Sequence, residues 1–308
     1  MKTNSLRGSA QLLGAALIWG LAFVAQSVGM EYMGPFTFNC IRSLLGVLAL
    51  APVIAMMDRR AGRARSFWGT RDAAARRTLV KGGVACGLAL AVGCTLQQYG
   101  IRSTTVAKAG FITALYIVFV PLLGLALGRR AGWHLWLSVL LATGGMYLLC
   151  MKGRFALQRG DVLLLLSAGC FAVHIVIVDH VSSQVEDCVR LSALQFLVCG
   201  LVCLLPMLLW DRPAPSAVLA GWLPTVYAGV FSCGGAYTLQ VLGQRDVPPA
   251  LASLLLSMES VFSVLAGWLL LGQTLSVREL SGCALVFCAV LLAQAPVRRK
   301  ALAGGGEE

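Results

Sequence analysis

Glu259 is the residue whose type and setting most demand a chemical account. It lies about eleven residues into the apolar run 248–271, close to the middle of a stretch long enough to cross a bilayer. A carboxylate at that depth costs several kcal/mol unless it is paired or solvated. Two readings follow: a cavity residue that contacts substrate or carries a proton, or a protonated or hydrogen-bonded glutamate that fixes helix packing. Arg42, about a third of the way into the run 35–57 and one turn after Asn39, is the second deep charge. Its guanidinium suits a carboxylate or phosphate on a substrate; equally, it neutralises an acid of the protein or snorkels to the outer surface. Lys108, one turn inside its run, reads as snorkelling. Tyr116 and Trp19 join an apolar ring to a polar edge, which suits a cavity wall as well as ordinary packing. His174 and Gln195 sit on otherwise apolar backgrounds, and each lines a cavity or bonds within the core; a histidine there could titrate near neutral pH.

Other chemistry is excluded by what the motifs lack. There is no HExxH, no paired-aspartate motif, no GxSxG and no GxxxxGK[ST], so a membrane-embedded enzyme is the weaker reading and ATP hydrolysis by the chain itself is not expected. The HxxxxD spacing of His174 and Asp179 falls inside a membrane segment with no accompanying motif. Eleven cysteines occur without a CxxC pair or a Cys/His zinc spacing. All but Cys188 lie in apolar runs, so they read as small packing residues without disulfides, and no metal or cofactor is expected.

The elements that must carry these residues are membrane helices. The 308-residue chain is 58% hydrophobic and 12% charged, with a mean hydropathy of +0.81; a soluble domain carries roughly 25% charged residues. Ten apolar runs are read, at 10–29, 35–57, 80–100, 104–127, 133–151, 160–180, 190–210, 220–242, 248–271 and 276–294. Each is long enough to span the ~30 Å hydrocarbon layer as a helix. The first run, preceded by Lys2 and Arg7, has no convincing cleavage site after it and is kept as a membrane helix. The net charge of +12 does not mark a nucleic-acid face, because nearly every Lys and Arg lies between or beside the runs. Arg59, Arg60, Arg63, Arg65, Arg71, Arg76, Arg77 and Lys81 crowd one connection, and Arg298, Arg299 and Lys300 the C-terminal tail. The positive-inside rule therefore places both termini in the cytoplasm. Lys152, Arg154 and Arg159 dissent on the other side.

Part of the chain occurs twice. Thr95–Leu127 aligns without gaps on Thr238–Leu270, with Thr95, Leu96, Gln97, Gly100, Arg102, Ala107, Ala109 and Gly124 recurring as Thr238, Leu239, Gln240, Gly243, Arg245, Ala250, Ala252 and Gly267. Glu259 matches Tyr116. A long-range repeat in an apolar chain points to a carrier built from two related halves. With an odd number of helices per half, the second half enters the membrane upside down. Such a fold places its site at the midplane between the halves and opens it alternately to either side. The recurring Gln-x-x-Gly-x-Arg reads as structural, the glycine ending a helix in the left-handed region and the arginine complementing its dipole. Gly83 with Gly87, and Gly124 with Gly128, have GxxxG spacing, which allows close helix approach within one subunit or between two subunits of a homodimer.

These segments resemble the two EamA repeats of the drug/metabolite transporter superfamily, from about Gln11 to Gln294. The resemblance rests on Ala15-Ala16-Leu17-Ile18-Trp19-Gly20, on Asn39 with Arg42, on Lys108 through Tyr116 leading to Pro121, and on Ser257-Met258-Glu259-Ser260-Val261-Phe262 with Gly267 and Gly272. The chain departs from the family pattern at Glu259-Ser260, where Glu-Pro is common, and at Gly272-Gln273, where Gly-Glu is common. The first departure is expected to remove a helix kink. The resemblance implies an all-α membrane protein of ten transmembrane helices in two inverted five-helix repeats, 10–151 and 160–294, with a cytoplasmic tail at 295–308. It implies a secondary carrier of small metabolites in the cytoplasmic membrane, read as an exporter, with uptake or exchange as the alternative. The candidate pathway residues are Trp19, Asn39, Arg42, Tyr116, His174, Gln195 and Glu259, with Glu259 the candidate for proton coupling. One deep charge of each sign suggests a zwitterion such as an amino acid.

Overall fold

A computed structural model of the chain describes residues 2–62, 68–70, 72–104, 106–129, 132–151, 158–271 and 276–294. Lys152, Arg154, Gln273 and the tail 295–308 lie outside the described residues. The helices are α1 (Lys2–Tyr32), α2 (Pro35–Arg60), α3 (Ala73–Ile101), α4 (Val106–Ala114), α5 (Tyr116–Ala126), α6 (Trp133–Cys150), α7 (Arg159–Ser182), α8 (Cys188–Pro206), α9 (Pro215–Ala220), α10 (Trp222–Val226), α11 (Tyr237–Gln244), α12 (Pro249–Leu256), α13 (Glu259–Leu271) and α14 (Val277–Gln294). Two π-helical segments, Met207–Asp211 and Tyr227–Ala236, extend α8 and join α10 to α11. No strand occurs among the described residues.

Hydrocarbon dictates this economy. Backbone groups in lipid have no water to bond, so each run satisfies its own amides as a helix and confines strong polar groups to its ends. Asp72 starts α3 by accepting from the amides of Ala74 and Ala75 at 3.1 and 3.0 Å. Gln158 and Asp161 form a reciprocal cap on α7, and Glu279 accepts from the amide of Ser276 at 2.8 Å before α14. Leu48, Leu140, Leu205 and Phe287 are exposed on the outside of the bundle, where lipid covers them.

Eight helices among the described residues are long and apolar enough to cross a membrane, with the shorter apolar stretch Pro249–Leu265 beside them. The runs expected at 220–242 and 248–271 are therefore not single uninterrupted α-helices. The first is broken by its π-helical segment and the second at Ser257–Met258. The run at 104–127 breaks at Leu115, the repeat equivalent of Met258. In both copies the amide at the break reaches three residues back rather than four, Leu115 to the Ile112 carbonyl at 3.2 Å and Met258 to the Leu255 carbonyl at 3.3 Å. These are tighter 3₁₀-type bonds. In the second copy the Ser257 hydroxyl donates to the Leu254 carbonyl at 2.7 Å, the acceptor that Met258 would otherwise use. The interruption expected to be lost with the Glu-Pro pair is thus present without a proline.

Glycine spacing corrects two further expectations. Gly100 and Gly243 are helical, not left-handed caps. They sit where helices cross: a Cβ on Gly243 would lie 2.8 Å from the Gly8 carbonyl of α1, and one on Gly100 would lie 3.0 Å from the Gly160 carbonyl of α7. Gly83 and Gly87 pack within the subunit, against Leu194 and Val198 of α8. Gly128, at φ 78°, ends the helix that carries Gly124 in the left-handed region, so this second GxxxG pair is a helix stop. Gly100→Ala and Gly243→Ala are each expected to destabilise the protein by about 1–3 kcal/mol, the usual cost of overpacking. Thermal unfolding in detergent reads this as a lowered Tm. Gly144→Ala, which meets nothing within 4 Å, leaves Tm unchanged.

Candidate functional site

The helix breaks put their two following residues face to face. Tyr116 opens α5 and Glu259 opens α13, and the Tyr116 hydroxyl donates to Glu259 Oε1 at 3.1 Å across 143 positions of sequence, the repeat spacing itself. The Glu259 carboxyl has no other hydrogen bond among the described residues. Helix α1 approaches here without a side chain between: a Cβ on Gly20 would lie 2.8 Å from the Glu259 carbonyl oxygen. That accounts for the Trp19-Gly20 pair, with Gly20 admitting α13 while Trp19 faces inward.

Both residues line a small central cavity of about 40 Å³. Trp19, Arg42, Tyr116, His174 and Glu259 are on its wall, together with Gln97 and Gln240. Arg42 and Glu259 are only 3% and 4% exposed, so both strong polar groups are held away from bulk water. Among the described residues no carboxylate lies within ion-pair distance of Arg42. Its Nη1 instead donates to Gln26 Oε1 at 3.3 Å, and Gln98 Nε2 fixes the same oxygen at 2.6 Å. The guanidinium also sits 5.4 Å from the centre of the Phe38 ring. It is a buried cation held by neutral groups and left uncompensated on the cavity side.

The remaining wall is aromatic and amide. Trp19 and Tyr237 meet edge to face with ring centres 4.6 Å apart. The π-helical segment brings Ser232 to the wall. It is tied to α1 by Tyr227, whose hydroxyl donates to the Ile18 carbonyl at 3.0 Å. Short π-helical segments recur at functional sites because the extra residue per turn re-aims the side chains beyond it. Three buried polar atoms around the cavity have no partner: Trp19 Nε1, Arg42 Nε and Gln240 Oε1. Buried polar atoms are bonded in the great majority of cases. This wall therefore offers donors and an acceptor to a polar guest.

Two of the sequence candidates stand elsewhere. Asn39 is fully buried and donates to Thr95 Oγ1 at 3.4 Å, bracing α2 against α3. Gln195 lies behind His174, its Oε1 3.0 Å from the histidine Nε2, and sets the ring's position. Lys108 does not end in the interface alone but pairs with Asp161 at 2.5 Å. Asp179 pairs with Arg129 at 2.8 Å, and that partnership accounts for it without reference to His174. The eleven cysteines are free.

Sequence reasoning passed over Gln97 and Gln240, giving them to hairpin structure. The usable signal was their type: two amides at the same place in both copies, inside apolar helices. Gln26, Thr113, Phe171, Ser232 and Tyr237 carried no spacing signal.

The helical bundle of the described residues, with eight helices long and apolar enough to cross a membrane, is that of a multi-pass membrane protein. Residues 6–151 and 158–294 each match the EamA-like transporter family, and the chain belongs to that family. An uncharacterized transporter of Archaeoglobus fulgidus is 26% identical over 90% of this chain and 82% of its own length. The uncharacterized transporter YwfM of Bacillus subtilis is 24% identical over 94% of each chain. The uncharacterized inner membrane transporter YedA of Escherichia coli is 23% identical over 91% of this chain and 88% of its own. A crystal structure of a protein 19% identical in sequence superposes with a TM-score of 0.74, covering 96% of this chain and 97% of that one, and shares the fold.

Proposed function

We propose that the protein is a secondary carrier that exports a small zwitterionic metabolite of amino-acid type across the cytoplasmic membrane by alternating access. The observation that carries this reading is the presence on one central cavity's wall of an Arg42 without an acid partner among the described residues and a Glu259 whose carboxyl is hydrogen-bonded only by Tyr116 among them. A zwitterion supplies a carboxylate for the first and an ammonium for the second. Aromatic faces from Trp19 and Tyr237 favour the ammonium end as well. Glu259 is the proton-coupling carboxyl: it exchanges its proton for the substrate's ammonium as the site fills and empties.

The architecture proposed is ten transmembrane segments in two inverted repeats, 10–151 and 160–294, with both termini and the tail 295–308 in the cytoplasm. Support comes from the repeat-equivalent breaks at Leu115 and Met258 and from the repeat-equivalent wall pairs Gln97/Gln240 and Tyr116/Glu259. Support also comes from the Gly8–Gly243 and Gly100–Gly160 approaches, which are made by the repeat-equivalent glycines Gly243 and Gly100. Discontinuous helices at the midplane are the usual site builders of such carriers. The test is counterflow in proteoliposomes across a panel of radiolabelled amino acids and their decarboxylated amines. The expected result is exchange of at least one zwitterion and none of the amines. Exchange of amines alone would sink the zwitterion reading.

A further inference from the structure

Close glycine approaches sort the inner helices into two blocks. A Cβ on Gly29 of α1 would meet the Phe38 ring of α2, and one on Gly46 of α2 would lie 2.7 Å from Cys233 of the π-helical segment. In the other block α3 carries the glycines: a Cβ on Gly87 would lie 2.6 Å from the Gln195 carbonyl of α8, and Gly100 crosses α7. Elements packed this closely transmit a displacement as one body. Helices α2 and α8 face each other across the two blocks. They touch near mid-length, where Ser43 Oγ donates to Cys199 Sγ at 3.5 Å and a Cβ on Gly200 would lie 2.9 Å from Leu44.

At each end of this antiparallel pair an aspartate crosses from the end of one helix to the first turn of the other. Asp58, in the last turn of α2, accepts on Oδ2 from Arg190 Nη2 at 2.6 Å, and Arg190 also pairs with Asp187. Asp211, which ends the π-helical extension of α8, accepts on Oδ2 from the Thr37 amide at 2.7 Å and the Thr37 hydroxyl at 2.9 Å. Asp58, Arg190 and Thr37 are buried. The two contacts match in register: Arg190 follows Thr37 by the same number of positions as Asp211 follows Asp58. That step also carries Asn39 to Ser192, and the Asn39–Thr95 bond recurs as Thr238 donating to Ser192 Oγ at 2.9 Å. With both contacts made, the central cavity measures only about 40 Å³, below the range of small-molecule sites, roughly 300–1,000 Å³. A guest enters only if the blocks part at one end.

Given the alternating-access reading of the cavity, we propose that these contacts are the latches of two opposite gates. Asp58 with Arg190 holds the end on the side of the chain's N-terminus, and Asp211 with Thr37 holds the other. Release of one latch opens the cavity to its own side, with the Ser43–Gly200 crossing as the pivot. The test places one thiol on the cavity wall, Thr113→Cys, in the full-length protein in right-side-out and in inverted membrane vesicles. Both are treated with a membrane-impermeant methanethiosulfonate. Labelling at position 113 is followed by peptide mass spectrometry, which separates it from the native cysteines. Protease cleavage of a terminal tag in the same vesicles fixes the side of the N-terminus. Asp58→Asn keeps the side chain's volume but not its charge. It is expected to raise the labelling rate about fivefold from the N-terminal side and to leave the other side unchanged. Asp211→Asn is expected to do the reverse. Thr37→Val, which removes only the hydroxyl bond, is expected to follow Asp211→Asn by a smaller factor. No change in either rate, in variants that elute as folded protein, overturns the proposal. So does an equal rise from both sides, the mark of a generally loosened bundle. Because the readout uses no substrate, it separates failure of the latches from failure of the zwitterion reading.

Discussion

Glu259→Gln is expected to lose substrate accumulation driven by a proton gradient while keeping substrate exchange at zero gradient. Glutamine preserves the volume of the side chain and still offers an oxygen to the Tyr116 hydroxyl, which lies 3.1 Å from Glu259 Oε1. What it cannot do is release a proton. A carrier that moves one proton per substrate gains about tenfold in accumulation for each pH unit of gradient. The variant should therefore show no dependence of accumulation on the gradient, at any imposed pH difference, in proteoliposomes preloaded with buffer. Counterflow of the same substrate should continue with weakened affinity, because the glutamine oxygen still accepts from the substrate's ammonium and exchange needs no net proton movement. Loss of both activities with unchanged folding would mark the carboxyl as a binding group only. Wild-type behaviour in both would make it structural, the alternative that its depth in the bundle allows.

The second large effect is expected at Arg42. Removing one partner of a buried, hydrogen-bonded charge pair costs about 2–5 kcal/mol, so Arg42→Gln should raise the Kd for the substrate by about 30-fold or more. Stability should move the other way or not at all. Arg42 has no carboxylate within ion-pair distance among the described residues, so its charge is buried without compensation until a ligand enters. Neutralising such a charge removes a desolvation cost. Arg42→Lys should not restore affinity, because an ammonium lacks the planar fork and is far more strongly hydrated. Isothermal titration gives the affinities and thermal unfolding gives the stabilities. A fall in Tm that tracks the loss of binding would assign Arg42 to the fold instead.

Five of the seven candidate residues, Trp19, Arg42, Tyr116, His174 and Glu259, share the wall of the central cavity, and that much was legible in the sequence for an identifiable reason. In a chain whose solvent is lipid, a charge inside an apolar run stands out, so Arg42 and Glu259 announced themselves. The internal repeat paired Glu259 with Tyr116 before any geometry was known, and the two are hydrogen-bonded. What could not be read were features decided by backbone geometry. The break ahead of Glu259 is accompanied by a Ser257 hydroxyl on the Leu254 carbonyl, yet the equivalent break follows Ala114 without one, so no residue pattern declares it. Gly100 and Gly243 were assigned to helix ends because glycine serves both left-handed caps and close crossings, and only the position of the neighbouring helix separates these uses. Asn39 and Gln195 stay open as wall or core residues in the sequence, because a buried amide looks alike there whether it faces a cavity or a neighbour. Thr95 and His174 are those neighbours. Gln97 and Gln240 show the converse error: their recurrence suggested hairpin structure, while both are on the cavity wall.

The central claim, that one cavity holds a substrate's carboxylate on Arg42, is tested most directly by a cycle that changes both partners. Affinities are measured for the transported amino acid and for its decarboxylated amine, each against wild type and Arg42→Gln. If the carboxylate sits on Arg42, losing it costs wild type a large factor and costs the variant little, because the same interaction is already gone. If the two losses multiply independently, the carboxylate binds elsewhere and the proposed placement of the substrate is wrong.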